Sequence, residues 1–99
     1  NLQAGIDGET FEVEEMYPAY NAVAELQDEP GASRSTRWAR EAEKVHAVMY
    51  QDAKTLVDSN QDAKTEQLYV CPVCGWTGVG EPPDNCPICN AKKEQFKLF

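Results

Sequence analysis

Four cysteines, all between positions 71 and 89, constrain this chain more than any other feature. They read Cys71-Pro72-Val73-Cys74-Gly75 and Cys86-Pro87-Ile88-Cys89-Asn90, two C-x2-C pairs separated by eleven residues. Two intervening residues let both thiolates of a pair face a single ion, and a second pair completes a tetrahedron. Gly75 and Asn90 follow the pairs, where a left-handed residue helps the chain turn back. In a chain with no export leader, such pairs predict a tetrahedral four-sulfur metal centre rather than two disulfides. That geometry suits zinc and iron alike. Tyr69, Trp76, Phe96 and Phe99 surround the cysteines in sequence, and Pro72, Pro82, Pro83 and Pro87 stiffen the loops. So short a segment cannot build an ordinary core, so these aromatics are expected to pack around the metal.

Charge divides the chain at the same place. The whole chain has 9 Lys+Arg against 17 Asp+Glu, a net of −8. Residues 67–99 balance three bases against three acids, so the excess lies on residues 1–66. Nucleic acid and anionic lipid both reward basic patches, so neither is expected as a partner. No apolar run approaches the length of a membrane span, and a soluble cytoplasmic protein is expected. Asn1 is not Met, so the start reads as a processed, cleaved or partial end.

The acidic part shows helical periodicity. Leu2, Ile6, Val13, Met16, Tyr20 and Val23 recur at bundle spacing, and Glu9 fills the gap in that seam. Glu12 lies three residues further on, beside Glu9 on the same face. A carboxylate in a buried stripe costs several kcal/mol unless paired, protonated or bound to metal. Pro18 should bend or loosen this helix, and Asp28-Glu29-Pro30-Gly31 should end it. A second helix is predicted from Ser33 or Ser35, either able to cap it, to Asp58. Its seam is Ala39, Ala42, His46, Met49, Ala53 and Leu56. Glu43 stands three residues before His46, on the same face. Alone, Glu-x-x-His reads first as a core histidine. Joined to Glu9 and Glu12 it reads as metal chemistry, because di-iron bundles take one Glu from each of two helices and Glu-x-x-His from each of the other two. The chain supplies half of that set. Residues 59–66 form a polar connector, giving an expected division into 1–58, a linker at 59–66, and 67–99. Gln51–Thr55 recurs as Gln61–Thr65, with the first copy expected in the helix and the second in the linker.

The run from Tyr69 to Gly75, through Gly80-Glu81-Pro82-Pro83 to Cys86-Pro87-Ile88-Cys89, resembles the rubredoxin-like module that ends rubrerythrins, with Asn90 in place of the usual Gly. Gly8-Glu9-Thr10-Phe11-Glu12 with Glu15-Met16-Tyr17-Pro18 resembles the third helix of the rubrerythrin di-iron bundle. Ala42-Glu43-Lys44-Val45-His46 resembles the fourth. The resemblance implies one redox-active iron on Cys71, Cys74, Cys86 and Cys89. It implies Glu9 and His46 as ligands of one iron of a pair, Glu43 as the bridge, and Glu12 as the carboxylate that leaves on reduction. Tyr17 would be a hydrogen-bond donor behind them, although ideal helical spacing puts it well round from Glu12. The first two helices of such a bundle are absent from these residues. A second subunit, in a homodimer or higher oligomer, or a separate or cleaved segment is expected to supply them, and the start at Asn1 favours the latter.

The expected fold is therefore one half of an all-α ferritin-like four-helix bundle, a helical hairpin, plus a small rubredoxin-like module with short β-strands. The expected activity is reduction of hydrogen peroxide at a di-iron site in oxidative-stress defence, with electrons from a redox donor protein relayed through the four-cysteine iron. Zinc can substitute there. Two rivals are a zinc-ribbon binding module on a dimerising hairpin, which leaves Glu9 unexplained, and ferritin-like iron oxidation and storage, which has no use for a relay.

Overall fold

The computed structural model describes residues 1–64 and 66–99. Its first helical arm is α1 (Leu2–Phe11), a π turn (Glu12–Met16) and α2 (Tyr17–Leu26) in unbroken succession. A tight turn leads into α3 (Pro30–Asp58), which folds back along the whole arm. Strands β1 (Leu68–Val70), β2 (Thr77–Val79) and β3 (Lys97–Leu98) follow, with a short 3-10 turn at Lys93–Gln95. The architecture is the expected one: a ferritin-like helix pair and a small rubredoxin-like module.

The π turn changes the seam. Tyr17 donates its N–H to the Glu12 carbonyl five residues back, so the arm carries one extra residue per turn at this point. Beyond it the inward positions advance by one: Asn21 and Ala24 face α3, while Tyr20 and Val23 point outward at 54% and 51% exposure. Unbroken α-helical spacing does not anticipate that shift. Pro18 does not end the helix; it sits just past the π turn.

A further difference concerns the start of the second helix. The second helix begins at Pro30, not at Ser33 or Ser35, because proline fits the first helical turn, where no donor is needed. Ser33 is buried inside that helix and donates its hydroxyl to Asn21 Oδ1 at 2.9 Å. The arm ends at Asp28, as expected, in the left-handed region at φ 55°, with Glu29 N–H returning to the Ala24 carbonyl at 2.8 Å. At the far end Asn60, φ 55°, closes α3 the same way, with Gln61 N–H on the Leu56 carbonyl at 2.9 Å. Gln51–Thr55 lies within α3 and Gln61–Lys64 outside it; Thr65, which ends the second copy, lies outside the described residues.

The β-module is an antiparallel sheet in the order β2-β1-β3, with Tyr69 opposite Gly78 and Leu98. Tyr69, Trp76 and Phe96 pack with ring centroids 5.5–6.1 Å apart beside the buried Cys71 and Cys86. The Tyr69 ring occupies the space a side chain at position 78 would need, which requires glycine there. Phe99 is not part of this cluster. It exchanges both backbone bonds with Leu68 and leaves its ring 70% exposed.

Candidate metal centres

The two cysteine loops have matching backbone geometry. Gly75 N–H bonds the Cys71 carbonyl and Asn90 N–H the Cys86 carbonyl, each at 2.9 Å. Cys71 N–H meets the Trp76 carbonyl and Cys86 N–H the Ala91 carbonyl, each at 2.8 Å. Gly75 and Asn90 adopt φ 86° and 63°. Each loop thereby turns its two thiols inward. All four sulfurs lie within 4.8 Å of one another, with 3.5 Å between Cys71 and Cys89 and between Cys74 and Cys86. Metal–sulfur bonds of about 2.3 Å give a tetrahedral edge of about 3.8 Å, so the donors fit one ion. Disulfide sulfurs would stand at about 2.05 Å, and the four cysteines are free. Burial raises the Cys74 and Cys89 thiols above their usual range. Burial acts the same way on Cys71, but backbone N–H groups of Val73 and Cys74, together with the Cys89 and Cys74 sulfurs, outweigh it and lower that thiol. Four thiolates in so dry a cluster need a cation.

A second cluster lies between the helical arms. Glu9 on α1 with Glu43 and His46 on α3 brings its ligand atoms within 4.8 Å of one another. His46 Nδ1 lies 2.6 Å from Glu43 Oε2 and 3.9 Å from Glu9 Oε1. Glu9 Oε2 is buried and has no hydrogen-bond partner among the described residues. Burial, then the Glu43 carboxylate beside it, pushes the Glu9 carboxyl up to about 7. An orphaned carboxylate oxygen, a second carboxylate and an imidazole form a donor set suited to iron or another divalent transition ion. Glu12 is half-buried and stands outside this three-residue cluster, although its charge acts on both Glu9 and Tyr17. Tyr17 faces the carboxylates: burial, then Glu43 and Glu12, raises its phenol above the usual value. The π turn accounts for this, since five residues bring position 17 back close to the face of position 12.

His46 also reaches the β-module. Its Nε2–H points at the Gly75 carbonyl (3.1 Å) and the Thr77 hydroxyl oxygen (3.0 Å). Thr77 donates its own hydrogen to the Gly75 carbonyl at 3.0 Å, so its oxygen is left to accept from His46. A donor at Nε2 leaves Nδ1 facing Glu43 and Glu9, the position from which it would ligate a metal. Gly75 and Thr77 carried no signal in the sequence for this role, because they lie 29 and 31 residues from His46. A cavity of about 380 Å³ opens beside His46, lined by Leu2, Glu9, Met49, Tyr50, Ala53 and Thr77.

Two family models match this chain, one on each of its parts. The family described as "Rubrerythrin" matches residues 1–54, and "Rubrerythrin, rubredoxin-like domain" matches residues 69–97. Rubrerythrin-2 of Clostridium acetobutylicum is 44% identical across 100% of this chain, which covers 54% of that protein. Nigerythrin of Nitratidesulfovibrio vulgaris is 35% identical across 100% of the chain and 48% of its own length. A solved mixed-valence nigerythrin superposes with a TM-score of 0.87 at 33% identity, over 100% of this chain and 48% of that one. A fully reduced, all-ferrous nigerythrin superposes at 0.86, with the same identity and coverage. The chain spans about half the length of the relatives it matches.

Proposed function

The chain belongs to the rubrerythrin family, and from that premise we propose that it forms part of a peroxidase. In this reading hydrogen peroxide takes two electrons and two protons and leaves as two waters. Residues 1–58 are half of a ferritin-like bundle, 59–66 a linker, and 67–99 the electron-carrying module. Glu9, Glu12, Glu43 and His46 hold part of a di-iron site that a second helix pair completes, from a longer chain or another subunit. Bound there, the iron pair supplies both electrons to the O–O bond without releasing a radical. Cys71, Cys74, Cys86 and Cys89 hold the iron that accepts electrons singly from a donor protein. The setting is the cytoplasm, where thiols stay reduced.

One observation carries this reading: His46 belongs to one donor set and reaches the loop that carries the other. Its Nδ1 faces the carboxylates and its Nε2 rests on the carbonyl of Gly75, the residue after Cys74. A zinc ribbon without redox function leaves the orphaned Glu9 oxygen unexplained, and an iron store leaves the four thiols unused. Glu43 would help to hold both ions in this scheme, so Glu43→Ala should remove the metal pair, whereas His46→Ala should weaken mainly one ion. Glu12 binds in only one redox state, so Glu12→Ala should lower turnover more than reduced-state iron content. The experiment is elemental iron content, oxidised and reduced, beside anaerobic peroxide consumption by the assembled protein and each variant. Wild-type peroxide turnover and iron content in Glu43→Ala would overturn the site assignment. Full turnover after the four-cysteine iron is removed would overturn the relay alone.

A further inference from the structure

Pro18 has no N–H and so leaves one helical carbonyl unserved, and the π turn makes that carbonyl Val13's where ordinary spacing would make it Glu14's. Tyr17 N–H is taken by the Glu12 carbonyl. The next acceptor in that register, the Val13 carbonyl, would need the N–H of residue 18, and Pro18 has none. A partly buried carbonyl without a donor costs on the order of 1–3 kcal/mol. Arg40 of α3 fills the place: its Nε–H donates to the Val13 carbonyl at 2.8 Å, across 27 residues of sequence. If the helix reverted to ordinary spacing, Val13 would take the Tyr17 N–H. Asn21 and Ala24 would then leave the α3 face, and Tyr17 would swing away from Glu43. The turn, the proline and the arginine thus form one device, placed immediately after Glu9 and Glu12.

We propose that Arg40 is a positioning residue: by occupying the Val13 carbonyl it holds the π turn, and through that register it keeps Tyr17 turned towards Glu43 and beside Glu12. The part concerning Glu12 and metal rests on the di-iron reading above; the part concerning helix register does not. Lysine can donate to the same carbonyl at reduced reach, whereas methionine matches much of the arginine stem and donates nothing.

The test is amide hydrogen exchange across residues 12–20 in the assembled protein, for Arg40→Met, Arg40→Lys, Pro18→Ala and the Arg40→Met/Pro18→Ala pair. Cobalt(II) uptake at the carboxylate–histidine cluster is followed by visible absorbance in the same proteins, with the cysteine site already filled by zinc. Arg40→Met should speed exchange at Tyr17 about tenfold, the order expected for one lost hydrogen bond, and weaken cobalt binding. Arg40→Lys should recover most of both. With Pro18→Ala, residue 18 regains an N–H that can serve Val13, so adding Arg40→Met should change Tyr17 exchange less than about threefold. Unchanged exchange in Arg40→Met, or equal effects of Arg40→Met with and without Pro18, would overturn the proposal. If Arg40→Met unfolds the protein, the lysine variant and the comparison with Pro18→Ala still decide it. Failure of the wild-type cluster to bind cobalt would count against the di-iron reading and leave the exchange result to judge Arg40.

Discussion

The Nε2 atom of His46 lies 3.0 Å from the Thr77 hydroxyl oxygen, so one imidazole joins the carboxylates of the helical hairpin to the loop that carries Cys74. The ring is half-buried, and each of its nitrogens has a defined neighbour. Thr77→Val keeps the side-chain shape and removes one of the two acceptors of the Nε2 hydrogen. A stability loss of about 1 kcal/mol is expected, read from denaturant midpoints at unchanged slope. Thr77→Ser should lose less, because the hydroxyl remains.

Glu9 sets a pH dependence of opposite sign to the usual carboxylate. Its folded value of about 7 lies above the ordinary 4.5, because burial and Glu43 disfavour its charge. In the metal-free protein the neutral form is therefore stabilising below pH 4.5, and this contribution is lost as pH rises through 7. Glu9→Gln should flatten that fall. Bound metal should reverse it, because a cation favours the ionised carboxyl. Thermal unfolding from pH 5 to 8, with and without divalent iron under anaerobic conditions, measures both.

The fold of the four-cysteine module should depend on a bound metal. Its buried centre consists of Cys71, Cys86 and Ala91, with Trp76, Ile88 and Phe96 packed against it. Cys86→Ser, or a strong chelator, should abolish near-ultraviolet signals from Tyr69 and Trp76 while most helical circular dichroism persists. Loss of both signals together would show that the two parts fold as one unit.

Two backbone positions in the module should respond in opposite directions. Asn90 stands at φ 63°, where glycine carries no Cβ penalty. Asn90→Gly should stabilise the metal-bound protein by a few tenths to about 1 kcal/mol, and Asn90→Ala should destabilise it. Gly78→Ala should lower stability more than either, because its Cβ would meet the Tyr69 ring within the sheet register. Chelator-induced release of metal ranks the three variants.

Much of the candidate site was legible because its signals are local. Two residues between cysteines aim two thiols at one point, and a step of three from Glu43 to His46 puts carboxylate and imidazole on one helix face. Glu9 was legible as a carboxylate in an apolar stripe, the hairpin followed from periodicity, and the small β-module followed from the resemblance carried by the cysteine segment. The tertiary structure alone decided the register beyond Glu12, where a π turn moved Asn21 and Ala24 inward in place of Tyr20 and Val23. It also decided that Arg40 would serve Val13 and that Thr77 would meet His46, across 27 and 31 residues. The physical reason is that spacing reports only neighbours along one helix or loop. An extra residue in a turn, and a donor supplied from another element, are settled by which buried polar groups find partners when the elements pack.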